Sequence, residues 1–183
     1  SANAAHMAID MLSQAEHDEM ASSILITTSK ELADKVRVEL AEWLKKLPRE
    51  EIARKSLDER GAIIVAKDMS EAVELMNQVA PEHLEVATAS PFELLASIKH
   101  AGAIFLGHYT PEAIGDYVAG PNHTLPTGGT ARFYSPLGVE NFMKKSSIIY
   151  FSKAAICEIG KECALIAKTE GLTAHEQSVL VRI

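Results

Sequence analysis

Residues 23–66 read SILITTSKELADKVRVELAEWLKKLPREEIARKSLDERGAIIVA, and this stretch decides the fold. Its two ends, SILITT (23–28) and GAIIVA (61–66), are short apolar runs bounded by polar residues, the pattern of a buried strand. Two helical patterns lie between them. Ser29 opens a capping pattern ahead of a long amphipathic helix over 31–47, which Pro48 ends. A second, more polar helix is expected over 48–58. Strands with continuous apolar runs alternating with helices imply a parallel or mostly parallel sheet covered on both faces, in an α/β fold.

The same alternation continues outward. Toward the N-terminus, Met7, Met11, Leu12 and Ala15 recur at three- and four-residue spacing and predict a helix over 4–17. Toward the C-terminus the reading is a helix over 70–79 stopped before Pro81, a strand over 84–88, a short helix over 91–98 and a strand at GAIFL (102–106). Ligands of such sheets gather beyond the strand ends, on loops. From 107 to 138 the character changes. Four prolines (Pro111, Pro121, Pro126, Pro136) and six glycines (Gly107, Gly115, Gly120, Gly128, Gly129, Gly138) mark a long irregular stretch, and stretches of that length inside a compact domain are usually functional. A strand over 147–152, a helix over 153–169 and a last helix from Thr173 follow. The division expected is 1–137 and 138–183, the second part being a small, mainly helical tail.

Composition excludes several classes. With 47% hydrophobic and 23% charged residues among 183, the chain is an ordinary folded protein rather than a disordered one. A formal net charge of -7 argues against a nucleic-acid surface, which needs a basic patch. No apolar run reaches the length of a membrane span. Cys157 and Cys163 fall on different sides of one helical stretch, which fits free thiols in a reducing cytoplasm and not a zinc knuckle. No G-x-G-x-x-G follows a strand, and no P-loop or nucleophile-elbow motif occurs.

Four constellations can carry chemistry. Gln14 and His17, at i,i+3 on one helix, share a face and offer an amide oxygen and an imidazole to a metal, although Glu16, Asp18 and Glu19 beside them also describe a plain polar face. Glu82 and His83 follow Pro81, where a first helical turn is favoured. An adjacent carboxylate and imidazole suit general acid–base work, or simply a solvated turn. Asp116 and His123 lie in the Gly/Pro stretch, where Gly115 and Gly120 let the backbone approach a ligand; either side chain can bind a metal, and His123 alternatively a substrate carboxylate. Arg132 stands at the end of that stretch. Glu170 and His175 flank Gly171 at a helix junction. His6, His100 and His108 have no partner pattern and read as surface residues.

Four motifs in order then resemble one family. MLSQAEHD (11–18), APEHLE (80–85), GDYVAGPNHTLPT (115–127) and EGLTAH (170–175) are similar to the corresponding segments of histidinol dehydrogenases, spread over nearly the whole chain. The resemblance implies oxidation of L-histidinol to L-histidine through an enclosed aldehyde, with two NAD molecules used in succession. It implies one zinc per site on Gln14, His17, Asp116 and His175, with the same cation taking the substrate's imidazole and amino nitrogens. His83 is implied as the base for the alcohol proton and Glu82 as the base that activates water on the aldehyde. His123 and Glu170 are implied as substrate contacts, alongside His83 and the metal-binding residues. The implied assembly is a cytoplasmic homodimer in which the terminal segment with Glu170 and His175 enters the partner's site. On this reading the chain is the C-terminal part of a longer enzyme. Its Rossmann-like sheet is then incomplete, NAD binds in the preceding part, and the isolated chain is expected to be inactive and to self-associate. The competing readings are a non-catalytic metal-binding or oligomerising module and a zinc hydrolase with Glu82 as base.

Overall fold

A computed structural model describes all 183 residues, in two compact units, Ser1–Asn141 and Phe142–Ile183. In the first unit the order is α1 (Ala4–Ala15), β1 (Ile24–Thr27), α2 (Lys30–Leu44), α3 (Glu50–Arg60), β2 (Ala62–Val65), α4 (Met69–Val79), β3 (His83–Val86), a 3-10 turn (Pro91–Ser97), β4 (Ala103–Leu106) and α5 (Glu112–Tyr117). All strand pairing is parallel. β1 runs beside β2 with Leu25 opposite Ile63, and β3 beside β4 with Glu85 opposite Phe105. The fold is α/β, as the alternating pattern implies, but the strands form two separate pairs rather than one ladder.

The helices form where their caps and apolar spacing direct. Asn3 caps α1 by accepting from the Ala5 and His6 amides, and Ser29 caps α2 by accepting from Leu32. α1 buries Ala8, Met11, Leu12 and Ala15, a stripe at three- and four-residue spacing. Ala8 and Met11 pack with Leu25 of β1 and Val36 of α2, whereas Leu12 and Ala15 pack with Leu44 of α2 and Ala53 of α3. Ser56 of α3 is wholly buried, and its hydroxyl donates to the Ala21 carbonyl at 2.9 Å, tying α3 to the turn before β1. Three strand residues nonetheless remain exposed: Ile24, Val65 and Ile104.

Several boundaries depart from the sequence expectation. α1 stops at Ala15, two residues early, because the Asp18 carboxylate accepts from the Met20 amide at 2.7 Å and opens a turn. His17 therefore leaves the helix. Glu82 and His83 occupy a bend and the first residue of β3, not a helical turn. Asp116 sits in α5, within the stretch expected to be irregular. Residues 147–152 form no strand: no strand of the chain pairs with them, and they run exposed.

The second unit is a helical hairpin of α6 (Lys153–Thr169) and α7 (Thr173–Leu180). Gly171, at φ 77°, makes the left-handed turn between them, with the Leu172 amide bonded back to Ala167. α6 presents Gly160, Ala164 and Ala167 as its buried residues. At Gly160 a side chain would meet Ile183 and Val179 within 2.9 and 3.1 Å. No helix of the chain is long and apolar enough to cross a membrane.

Leu12 joins α1 to two other helices with none of its surface exposed. Leu12→Ala is expected to cost about 2–5 kcal/mol, read as a lowered urea midpoint with an unchanged slope.

Candidate active site

The bend between α4 and β3 delivers the first two site residues. α4 ends at buried Ala80, which adopts a left-handed conformation (φ 50°) and turns the chain into Pro81. The Glu82 carbonyl then accepts from the Ala103 amide at 2.8 Å, and that of Pro81 from Gly102 at 2.9 Å. Gly102 is required for this approach, since a Cβ there would lie 2.5 Å from the Glu82 carbonyl oxygen. Alternation along β3 puts His83 and Glu85 on one face. On β4, Phe105 sets its ring 6.0 Å from the His83 ring, tilted by 48°. Gly115 of α5 leaves room for that ring: a methyl group there would come within 2.6 Å of it.

α5 brings two further carboxyl groups to this face. Glu112, buried, donates its amide to Glu85 Oε1 at 2.8 Å, and its Oε2 accepts from the Ser13 hydroxyl of α1 at 3.2 Å. Asp116, one turn on, is half-buried and hydrogen-bonded with the Glu112 carboxyl. Donor atoms of His83, Glu112 and Asp116 all lie within 4.8 Å of one another, with His83 Nε2 3.7 Å from Glu112 Oε1. Neither of those two atoms has a hydrogen-bond partner, although both are buried. Asp10 of α1 completes the group through a side-chain hydrogen bond with Glu85.

Electrostatics follow from this crowding. Burial lowers the pKa of His83, partly offset by the charges of Glu82 and Asp116, so the imidazole is neutral near pH 7 and able to take a proton. Burial raises the pKa of Glu82, helped by Asp116 and Glu112 and opposed by His83 and His17. Burial also raises Glu112, then its bond to Asp116. Burial and the neighbouring Asp10 carry Glu85 to about 8, and burial raises Asp10 as well. An imidazole and a carboxyl group, each shifted toward neutrality, are the components of acid–base catalysis.

The residues expected from sequence divide into three groups. Glu82, His83, Asp116 and His17 converge; His17 is exposed in the turn after α1, yet its charge acts on Glu82, His83 and Glu112. Gln14 is half-buried on α1, next to the Ser13 that bonds Glu112, while His123 is exposed in the stretch after α5. Glu170 and His175 are exposed in the second unit, at the end of α6 and in the first turn of α7. His100 and His108, read as surface residues, are each partly buried and keep a buried, unpartnered Nδ1. Sequence reasoning missed Glu112, Glu85, Asp10 and Ser13. The signals were present: Asp10, Ser13, Gln14 and His17 repeat at 3-1-3 spacing as a polar stripe beside the apolar one, Glu85 stands two residues after His83, and Glu112 four before Asp116. These residues gather around the start of β3, with α1 and α5 supplying the other side chains. An imidazole nitrogen and carboxylate oxygens, as His83, Glu112 and Asp116 offer here, are donors that a borderline cation such as zinc accepts.

Glu85 supplies a pH test. A carboxyl whose pKa is raised on folding, from 4.5 to about 8, holds its proton in the native state after the unfolded chain has lost it. Its contribution to stability is therefore complete below pH 4.5 and declines as pH rises toward about 8. Glu85→Gln, which stays neutral, is expected to flatten that decline, as read from urea midpoints across the same window.

A family model described as histidinol dehydrogenase matches residues 1–183. The chain is 75% identical to the histidinol dehydrogenase of Sulfurimonas denitrificans over all of its 183 residues, which span 43% of that protein, and 66% identical to that of Wolinella succinogenes, spanning 42%. The crystal structure of histidinol dehydrogenase from Elizabethkingia anophelis superposes with a TM-score of 0.87 at 37% identity, over 99% of this chain and 42% of that one. This chain thus spans less than half the length of the relatives it matches. It belongs to the histidinol dehydrogenase family.

Proposed function

We propose that this chain carries the metal-binding and proton-transfer part of a zinc-dependent, NAD-linked oxidation of L-histidinol to L-histidine by way of the aldehyde. The observation that carries the reading is the pairing, at the start of β3, of a half-buried imidazole of lowered proton affinity with a carboxyl of raised affinity, both beside Asp116. Alcohol oxidation needs a base that is neutral near pH 7, and His83 is held in that form by burial. His83 takes the hydroxyl proton while hydride passes to NAD. The aldehyde must then gain water before it can lose a second hydride. Glu82, next in the chain and with its proton affinity raised, takes the proton from that water.

Gln14, His17, Asp116 and His175 are the proposed metal-binding residues; zinc held by them would take the substrate's imidazole and amino nitrogens and so orient it. The nitrogen and oxygen donors suit that ion. His123 and Glu170 are proposed to contact the substrate, with Glu170 and His175 reaching the site of a partner subunit in a homodimer. The exposed apolar run Ile148, Ile149, Tyr150 and Phe151 favours such an assembly, because a monomer gains nothing by leaving it in water. Free thiols at Cys157 and Cys163 suit the cytoplasm, where NAD-linked biosynthesis proceeds.

The two bases are separable by experiment in the full-length protein. With histidinol and the aldehyde supplied in turn, His83→Asn is expected to slow both oxidations by about 10²–10⁴-fold. Glu82→Gln should slow chiefly the second, and equal losses in the two steps would refute the division of labour. Asp116→Ala is expected to lower bound zinc, measured by atomic emission, and to raise KM for histidinol.

A further inference from the structure

Glu112 is the least exposed carboxylate of the site, 8% exposed, and it is held from three directions. Its amide donates to Glu85 on β3, its Oε2 accepts from Ser13 on α1, and its carboxyl lies against Asp116 one turn along α5. These contacts leave Oε1 unpaired, and the nitrogen facing it, His83 Nε2, is also buried and unpaired. The two atoms are 3.7 Å apart, just beyond a hydrogen bond. Catalytic hydrogen bonds are often long before substrate binds and tighten in the complex. A carboxylate oxygen only accepts, so the complementary state of the ring has its proton on the facing nitrogen. Phe105 against the ring, itself seated on Gly115, restricts the ring's other movements.

We infer that Glu112 is the positioning residue of His83: it takes the ring N–H that faces it and leaves the opposite nitrogen as the base. This rests on the reading of His83 as the base for the alcohol proton. In that step the substrate O–H bond breaks and its proton goes to the free ring nitrogen. A hydride leaves the adjacent carbon for NAD, the C–O bond becomes C=O, and the ring becomes an imidazolium. Glu112 then faces a cation in a buried pocket, where their attraction is little screened. The logic is that of a carboxylate that fixes the tautomer of a catalytic histidine and steadies its charged form without itself changing protonation.

The test uses the full-length, zinc-loaded protein. Glu112→Gln preserves shape and an accepting oxygen but removes the charge, whereas Glu112→Ala removes both. Turnover of histidinol is expected to fall about 10²-fold in the alanine variant and less in the glutamine variant. KM and bound zinc should stay within about twofold of the parent, as expected when an interaction made only in the transition state is lost. Ser13→Ala, which frees one side of the Glu112 carboxylate, should give a smaller loss in the same step. In ¹⁵N spectra the His83 ring should show one tautomer in the parent and a mixture in Glu112→Ala. Unchanged turnover in both Glu112 variants would overturn the inference. Activity lost together with zinc and restored by added zinc would overturn it too, by making Glu112 a metal-site residue. If His83→Asn itself leaves histidinol oxidation intact, the base assignment fails. If His83→Asn is slow while Glu112→Ala is normal, only the positioning role fails.

Discussion

Five carboxyl groups, Asp10, Glu82, Glu85, Glu112 and Asp116, meet beside β3, and no lysine or arginine is among the groups that shift the first four. Everything else about the site depends on this imbalance. Like charges at such separations cannot all be ionised in a partly dehydrated pocket, so protons must be held, shared or replaced by a cation. The chain uses the first two in the structure itself. Asp10 hydrogen-bonds Glu85, and that pair needs a proton between its oxygens. A divalent cation at Asp116 is the third way of meeting the same constraint, which is why a metal reading and a proton-transfer reading of this face belong together.

The scaffold makes the crowding tolerable by dividing the labour of each helix. α1 buries Ala8, Met11, Leu12 and Ala15 against α2, α3 and β1, while its polar stripe, Asp10 and Ser13 within it, serves the carboxyl cluster. The stripe is thus anchored by apolar packing that is independent of the charges. Glycine plays a similar part in two places. Gly102 lets β4 bond the Glu82 carbonyl, and Gly115 admits Phe105 beneath the His83 ring. Both substitute close backbone or ring contact for what would otherwise be a side chain, and both sit one step away from a proposed proton-transfer residue.

Much of this was legible in the sequence, and what was not has identifiable causes. The β-branched runs at 24–27 and 62–65 paired as strands because a helical crossover of sufficient length joins them. The run at 147–152 has the same local character but no partner strand, and propensity alone does not make a strand. Motif residues were found where spacing or resemblance singled them out. Glu112 escaped because a lone glutamate after a proline has no local signature; its role arises from Ser13, ninety-nine positions away, and from Glu85. His17 was placed on a helix because periodicity cannot see the Asp18 carboxylate competing for a backbone amide.

In the proposed reaction, the position of Glu112 explains why burial does not defeat His83 as the base. Dehydration that keeps His83 neutral also makes its protonated form costly, and a base that cannot hold its proton does not assist hydride transfer. The cost has to be offset at the moment the charge appears and not before. A carboxylate already fixed from three sides and aimed at the ring does this without rearranging, since its own ordering was completed when α1, β3 and α5 packed together. On the proposed mechanism the unpaired atoms on Glu112 and His83 are the resting form of an interaction whose strength is realised in the charged state, so that stability forgone in the resting protein would lower the barrier instead.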